Sequence, residues 1–415
     1  MKNVPIPSEK QISLEFLLII HNFSKRMKWR AFFFLNPDIT PNSKETFNLN
    51  TSSVPPYIKE LKPFLDGLCD IAKNLKFRKV NNQFLDTLKD DLKNINSEDK
   101  VFLAADKTRN IYKIEKEAYN EYLENNITKE YKKAAKNVVQ NITKDDKKIA
   151  EALEIHDRLH TTTKRDCYIT IKDHKPNYVN NPKFRLINPC KSELGMVSKQ
   201  MLVKIISAIK SKSHFTQWKN SDSVINWFTQ LKNKEKLHFI QFDVVNFYGS
   251  ISQDLLENSF TFAARYTHIS ELEKNTIRQA ANSFLFSNNQ AWIKRNGGTF
   301  DITMGGYHGA EVCDLVGLFL LSQLVEVIPS PFIGLYRDDG LAVSSATKRQ
   351  TEIMKKKLCD IFNKNNLQIT TEANLKEVNF LDITLDLRTG TYKPYMKEND
   401  TPLYVHSGSN HPPGS

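Results

Sequence analysis

The hydrophobic positions of the first hundred residues recur with the spacing of helices. Apolar residues at intervals of three and four predict helices at 13–27, 58–75 and 84–95. Between the first two, residues 36–56 are rich in Asn, Thr, Ser and Pro, which predicts a loop. We therefore expect residues 1–100 to form a helical N-terminal region.

The pattern changes after residue 100, where short apolar runs alternate with charged helical segments. Strands are predicted at 101–105, 110–114, 167–171 and 184–187. Helices are predicted at 115–138, 147–160, 198–209 and 223–231. From residue 236 the chain consists of β-rich apolar runs, several of which end in carboxylates or glycines.

The composition excludes several classes of protein. The 415 residues include 59 Lys and Arg against 47 Asp and Glu, and the net charge of +12 favours a polyanionic partner. The longest apolar run, 315–321, is far shorter than the roughly 18 residues of a bilayer span. With no secretory signal at its start, the chain is expected to be intracellular, in nucleus or cytoplasm, without a membrane partner. Five cysteines without a Cys-x-x-Cys pair predict neither a disulfide framework nor a zinc ribbon.

One strand-like run carries a single carboxylate. Residues 239–244 are apolar except for Gln241 and Asp243, and a helix is expected from Ser252. A carboxylate within a buried strand is costly unless it is paired or binds a cation. A helix cap or an ion pair with a lysine is the alternative explanation for Asp243.

A second run places two carboxylates at a turn. Asp338 and Asp339 precede Gly340 between short apolar runs, which predicts a β-hairpin with Asp-Asp-Gly at its tip. An ordinary Asp-Gly turn is the alternative explanation of this pair. Together with Asp243, the pair supplies the three carboxylates of a site for two Mg²⁺ ions, with Mn²⁺ as a substitute. The sequence contains no competing His or Cys cluster.

At these residues the sequence resembles the reverse transcriptases, the RNA-templated DNA polymerases of retroelements. The run with Asp243 resembles their motif A, and Tyr336-Arg337-Asp338-Asp339 resembles the Tyr-x-Asp-Asp of motif C. Residues 303–310 resemble motif B, 367–376 motif D and 379–383 motif E, in the order that the family shows.

Further matches are similar to the enzymes of Penelope-like elements within that family. They are 101–107, Lys172-Asp173-His174-Lys175-Pro176, Arg185-Leu186-Ile187 and 409–412. The resemblance implies a right-hand polymerase of the α+β class, whose palm is an antiparallel sheet flanked by helices. It places the reverse transcriptase domain at 101–400, with fingers at about 101–235 and a palm at about 236–400. Residues 401–415 would be only the start of a thumb, which is largely missing.

The resemblance also implies roles for individual residues. The catalytic residues would be Asp243, Asp338, Asp339 and Lys376, the first three as metal ligands and the last as general acid for pyrophosphate. The substrate-binding residues would be Lys172, Lys175, Arg185, Tyr248 and Gly309. Lys172, Lys175 and Arg185 would bind the triphosphate. The ring of Tyr248 would exclude a ribose 2′-hydroxyl, and Gly309 would let the substrate approach the backbone. The basic stretches 25–30 and 348–357 are candidate contacts for nucleic acid.

The expected function is that of an RNA-directed DNA polymerase of a retrotransposon, which extends a DNA primer with dNTPs on an RNA template. Two alternatives stay open. A truncated or domesticated remnant of a retroelement would bind nucleic acid without polymerising. A basic scaffold protein, whose Asp-Asp-Gly turn has no catalytic role, would bind neither Mg²⁺ nor dNTPs.

Overall fold

The computed structural model describes residues 9–37, 54–74, 94, 99–156, 165–175, 177–189, 192–296 and 298–396. Its α-helices are α1 (Glu9–Leu35), α2 (Lys62–Lys73), α3 (Lys116–Glu130), α4 (Lys136–Ala152), α5 (Glu193–Lys212), α6 (Ser221–Gln230), α7 (Phe247–Ser250), α8 (Gln253–Ala263), α9 (Glu271–Ala281), α10 (Gly309–Leu324) and α11 (Lys348–Lys364). Its strands are β1 (Lys100–Ala104), β2 (Ile111–Glu115), β3 (Tyr131–Lys133), β4 (Tyr168–Ile171), β5 (Phe184–Ile187), β6 (Thr216–Gln217), β7 (His238–Val244), β8 (Leu285–Ser287), β9 (Gln290–Lys294), β10 (Ile333–Tyr336), β11 (Asp339–Ser344), β12 (Ile369–Leu375), β13 (Glu377–Phe380), β14 (Ile383–Asp386) and β15 (Thr391–Pro394).

Two helices near the N-terminus confirm the helical pattern of that region. α1 and α2 contact each other, and the ring centroids of Phe23 and Phe64 are 6.3 Å apart. Pro63 lies in the first turn of α2, where the missing amide hydrogen costs no intrahelical bond. The predicted loop over 36–56 and the predicted helix over 84–95 lie mostly outside the described residues. Within the described part of the chain, no helix is long and apolar enough to span a bilayer.

The segment after β2 differs from the predicted single helix over 115–138. α3 ends at Glu130, β3 pairs antiparallel with β9, and α4 begins at Lys136. The buried Tyr131 donates its hydroxyl to Asp301 Oδ2 at 2.7 Å. These contacts with distant residues outweigh the local helical pattern, which does not register them.

Two antiparallel hairpins, β1–β2 and β4–β5, confirm the four strands predicted in this region. They lie side by side because the Asp106 amide donates to the Ile171 carbonyl at 2.8 Å and Ala105 pairs with Ile171 in parallel. Leu103, Ile169 and Ile171 form a buried apolar cluster between them. The loop after β1 and the loop after β4 therefore lie next to each other.

The central sheet has five strands in the order β12-β7-β11-β10-β6. β7, β10, β11 and β12 pair antiparallel, and β6 joins β10 in parallel. A separate antiparallel sheet contains β13, β14 and β15. This mixture of antiparallel sheets and helices confirms the α+β class.

The central sheet is buried on both faces. Alternate residues of β7 point to opposite sides, so Ile240, Phe242 and Val244 pack in the main core with α5, α8, α10 and α11. Phe239 packs on the other side with α6 and with β13 and β14. A strand that is buried on both faces needs apolar residues at nearly every position, which explains the run around Asp243.

Candidate active site

Three of the predicted catalytic residues meet at one end of the central sheet. Asp243 is the penultimate residue of β7, and its cross-strand partner in β11 is Asp339. The Val244 amide donates to the Asp338 carbonyl at 2.9 Å, which holds the hairpin tip against the end of β7. Because directly paired residues of antiparallel strands have Cα atoms about 4.5–5.5 Å apart, these acidic residues lie in one small region.

The hairpin tip differs from the predicted Asp-Asp-Gly turn. β10 and β11 are paired up to Tyr336 and Asp339, so the loop between them consists of Arg337 and Asp338 alone. Arg337 has the positive φ, 53°, that the tight loops joining twisted strands require. The turn therefore lies one to two residues earlier than the sequence suggests, and Asp338 stands at its tip.

Gly340 belongs to the strand and not to the turn. It lies opposite Phe242, whose ring fills the space that a side chain at position 340 would need. The glycine therefore lets β7 and β11 pack closely just behind the carboxylates.

Asp243 interacts with both acidic and basic side chains. Its side chain is open to a cleft, yet the cleft walls desolvate it, and this desolvation is the main cause of its raised pKa. The neighbouring Asp338 raises the pKa further, while Lys107, Lys175 and a hydrogen bond with Asp339 lower it. Both acidic and basic groups therefore face Asp243.

The donor set at this end of the sheet fits a hard divalent cation. Mg²⁺ is commonly held by one or two carboxylates together with substrate phosphates and water. Asp243 and Asp338 offer such a pair, whose mutual repulsion a cation would relieve. Among the described residues, however, no group of three or more His, Cys, Asp or Glu side chains has the arrangement of a metal site. Asp243 and Asp338 would thus hold metal ions only together with ligands that the substrate brings.

A cluster of cations faces the carboxylates across the cleft. It comprises Lys107, Lys172, Lys175 and Arg185, which the hairpins β1–β2 and β4–β5 carry. Arg185 Nη1 lies 2.8 Å from Asp106 Oδ1 in an ion pair whose carboxylate is 5% exposed. Burial chiefly, and then Arg185, lower the pKa of the Lys172 ammonium. The structure brings together the three predicted cations and adds Lys107, which ends the matched motif at 101–107 and had no predicted role.

The cleft between these groups has a volume of about 750 Å³. Its walls include Asp243, Asp338, Tyr248, Lys175 and Arg185. A second opening of about 970 Å³ shares Asp338, Tyr248 and Arg185 with it, so the two form one continuous groove. Each opening alone has the volume of a pocket for a small molecule, so the continuous groove has room for more than one such ligand.

Tyr248 forms part of the cleft wall and rests on Gly309. Asn246, a left-handed residue with φ 49°, lies two residues after β7 and begins the short helix α7 that carries the ring. A Cβ at position 309 would lie 3.3 Å from Tyr248 Cε1 and 2.9 Å from the Thr303 carbonyl oxygen. A hydrogen bond links Tyr248 to the buried thiol of Cys313. Gly309 is buried and makes room for Tyr248, whereas the resemblance implied that it lets the substrate approach the backbone.

An ion pair in the cleft wall could not be predicted from the sequence. Lys294 Nζ lies 3.1 Å from Asp301 Oδ1 and donates to the Gly249 carbonyl at 2.5 Å. Asp301 also accepts the Tyr131 hydroxyl. The network ties the turn after Tyr248 to β3 and β9, and no local pattern could reveal it because its members come from separate elements.

The structure does not bring Lys376 to the carboxylates. Its ammonium donates to the carbonyls of Glu235 and Leu237 at 2.8 and 2.6 Å. Lys376 follows Leu375, which pairs with Phe239, four residues from Asp243 along β7. At about 3.3 Å per residue this corresponds to about 13 Å along the strand. A proton transfer from Lys376 at the site is therefore not supported by this arrangement.

The two basic stretches lie on helices. Residues 25–30 belong to α1 and residues 348–357 to α11. Neither stretch contributes a described residue to the walls of the groove. They stay candidate contacts for nucleic acid outside the groove.

Comparisons with known proteins agree on the fold. No protein-family model matches the sequence, and no curated protein does so. The apo telomerase of Candida tropicalis is similar in structure, with a TM-score of 0.52 and 12% identity over 94% of this chain and 78% of that one. The telomerase of Candida albicans, in complex with a fragment of telomeric RNA, gives a TM-score of 0.53 and 11% identity over 89% of this chain and 60% of that one.

A form of the Candida tropicalis telomerase without its C-terminal domain gives a TM-score of 0.47 and 14% identity, over 70% of this chain and 63% of that one. The chain thus spans less than two thirds of the length of two of these three structures. At such identities the similarity concerns the fold alone. The chain has a mixed α+β polymerase fold similar to that of these telomerases.

Proposed function

We propose that the protein is an RNA-directed DNA polymerase that extends a DNA primer with dNTPs on an RNA template. The observation that carries this proposal is the meeting of Asp243 and Asp338 at the floor of a groove whose opposite wall is cationic. Phosphoryl transfer needs oxygen ligands for divalent cations and fixed positive charges for the triphosphate. The groove offers both on one polymerase fold.

Different residues of the groove would bind the metal ions and the triphosphate in such a reaction. Asp243 and Asp338 would hold Mg²⁺, which when bound lowers the pKa of the primer hydroxyl and neutralises charge on the phosphates. Lys172, Lys175 and Arg185 would bind the triphosphate and orient its α-phosphorus toward the primer end. The chain itself contributes positioning and electrostatic stabilisation, and Lys376 has no part in this scheme.

Two features support the choice of nucleotide and the biological setting. The half-buried ring of Tyr248 is held between Gly309 and the groove, where it would exclude a ribose 2′-hydroxyl and so favour dNTPs. The motifs around Lys172 and Arg185 are similar to those of Penelope-like elements. We therefore include in the proposal that the enzyme serves a retrotransposon.

The experiment that tests the proposal is primer extension on poly(rA)/oligo(dT) with Mg²⁺ and dTTP. We expect extension by the wild-type chain and a loss of at least about 10³-fold for Asp338→Asn, because a metal ligand loses its charge. Asp360→Asn is the matched control, since Asp360 is exposed on α11. Template-primer affinity, measured by fluorescence anisotropy, should stay the same in both variants.

Two outcomes would contradict the proposal, and each favours one alternative. Tight template-primer binding without incorporation at any protein concentration indicates a remnant that only binds nucleic acid. If a calorimetric titration detects neither Mg²⁺ nor dTTP binding, the chain is a scaffold with a polymerase fold. Equal extension by wild type and Asp338→Asn would remove Asp338 from the site.

A further inference from the structure

A buried carboxylate stands behind the cationic wall of the groove. Asp173 is 0% exposed and lies in the turn between Lys172 and His174. Its Oδ2 accepts the Thr108 hydroxyl at 2.5 Å, the Tyr112 hydroxyl at 2.9 Å and the Asn110 side-chain amide at 3.0 Å. All three donors belong to the β1–β2 hairpin or to the loop before β2, so one carboxylate joins two hairpins.

The cations of the groove repel one another. Arg185, Lys175 and Lys107 all disfavour the charged form of Lys172, and Asp106 is the one group that favours it among the causes of its shifted pKa. Without a polyanion in the groove, this repulsion works against the turn that bears Lys172 and Lys175, whose base is held by the Lys172 amide donating to the Lys183 carbonyl at 2.8 Å. Some interaction must hold the rest of the turn in place before the substrate arrives.

Asp173 meets this requirement without touching the groove. Its neighbours Lys172, His174 and Lys175 line the cleft, and Asp173 does not. Asp106 contributes at the same junction, since its amide donates to Ile171 and its carboxylate pairs with Arg185. Asp106, however, lies in the cleft wall, whereas Asp173 does not, so Asp173 is the member of the pair that ties the turn to the β1–β2 hairpin from behind the wall.

We propose that Asp173 is a positioning residue, which holds the Lys172–Lys175 turn in the conformation that binds the nucleotide triphosphate. This inference rests on the proposed polymerase function, because it assigns the turn to that substrate. The three donors preorganise the turn, so that binding energy is not used to gather mutually repelling cations. Asp173 thereby acts on the affinity for polyphosphate and not on the chemical step.

The inference is tested by removing one donor at a time. Tyr112→Phe and Thr108→Val each delete a single hydroxyl and keep the shape of the side chain. Tyr122→Phe is the matched control, because it also deletes a tyrosine hydroxyl beside the β4–β5 hairpin. The ring centroid of Tyr122 lies 4.7 Å from that of Phe184 in β5. Asp173→Asn is the stronger variant, and Asp173→Glu tests whether a displaced carboxylate restores function.

Three measurements are made on the full chain. Calorimetry gives the Kd for tripolyphosphate without metal, steady-state extension gives KM and kcat for dTTP, and hydrogen exchange reports the mobility of residues 171–175. We expect Tyr112→Phe and Thr108→Val to raise both Kd and KM about tenfold, the equivalent of one charge-assisted hydrogen bond, with kcat within about twofold. Exchange in 171–175 should be faster, and Tyr122→Phe should match the wild type.

The outcomes separate this inference from the polymerase proposal. If the wild type extends a primer and both donor variants keep the wild-type KM and Kd, the positioning role is wrong and the polymerase proposal stands. If the wild type binds tripolyphosphate in an Asp173-dependent way but extends no primer, the polymerase proposal fails while the anchoring of the turn is supported. Faster exchange with an unchanged Kd overturns the inference as well, since the anchor would then be purely structural.

Discussion

Replacing Gly340 with alanine should damage both the stability and the site of this protein. A Cβ at position 340 would lie 2.6 Å from Phe242 Cδ2, and nearer still to Cε2 and Cζ of the same ring. Carbon atoms that are not bonded prefer separations of about 3.5–4.0 Å, so the strands or the ring must shift by about 1 Å to clear Cδ2 and by more to clear the two nearer atoms. The ring has little room, because Phe242 is 1% exposed and its centroid is 5.6 Å from that of Phe362.

The structure sets the magnitude of the effect. Overpacking a dense core usually costs about 1–3 kcal/mol, and the confinement of Phe242 places Gly340→Ala at about 3 kcal/mol. If the strands take up the shift, Asp243 and Asp338 separate by about 1 Å, and a misplacement of that size lowers rates by about 10²-fold. We therefore expect a loss of unfolding free energy together with a loss of kcat.

Urea unfolding measures the first quantity and extension on poly(rA)/oligo(dT) the second. Gly67→Ala is the control, because a Cβ there meets nothing within 4 Å and alanine favours the helix α2. Adding Phe242→Leu to Gly340→Ala should recover part of the lost stability, since it removes ring atoms from the collision. Wild-type stability and activity in Gly340→Ala would refute the reasoning.

Three further predictions concern single side chains. Tyr248→Ala should reduce the preference for dTTP over rUTP by about 10²-fold in kcat/KM, because no ring then excludes the 2′-hydroxyl. Asp146→Asn should raise the free energy of unfolding at pH 7.5 by up to about 3 kcal/mol, with the gain vanishing near pH 4 in urea titrations. Lys376→Met should lower the free energy of unfolding by about 1–3 kcal/mol, since two carbonyls lose their donor, while kcat for extension stays within about twofold.

The sign of the Asp146 prediction follows from its surroundings. Burial between α4 and α9 raises the pKa of the Asp146 carboxyl from 3.8 to about 6, although Gln279 donates to it at 2.7 Å. The folded chain therefore binds this proton more tightly than the unfolded chain, and stability falls as the pH rises from about 4 to about 6. Asparagine keeps an acceptor for Gln279 without the charge. If the unfolding free energies of the wild type and Asp146→Asn change in parallel with pH, this account is contradicted. If Lys376→Met lowers kcat as much as Asp338→Asn does, the structural role assigned to Lys376 is contradicted.

The carboxylates and their strands could be predicted from the sequence because their signals are local. An apolar run interrupted by Asp243, and a pair of short runs around Asp338, are visible in a few residues each. The pairing of Asp243 with Asp339 then follows from the antiparallel sheet. The cations Lys172, Lys175 and Arg185 came from a family pattern and not from physics, and the structure places them in one groove.

What the sequence could not show depends on contacts between distant elements. Tyr131 lies in a helical pattern but becomes a strand residue through β9 and Asp301. Gly340 resembles a turn glycine, whereas the ring of Phe242 explains it. Lys376 has the right place in the family's order of motifs, yet its ammonium is engaged by two backbone carbonyls.

The cross-strand pairing of Asp243 and Asp339 would link the proposed activity to the folding route. β7 and β11 are neighbours in the sheet but far apart in the chain, with α8, α9 and α10 between them. Contacts of such long range close slowly, because much of the intervening chain must first be ordered. In a nascent chain, the carboxylate site would therefore be incomplete until β11 is synthesised. During refolding, the recovery of the proposed activity would report when β7 and β11 pair.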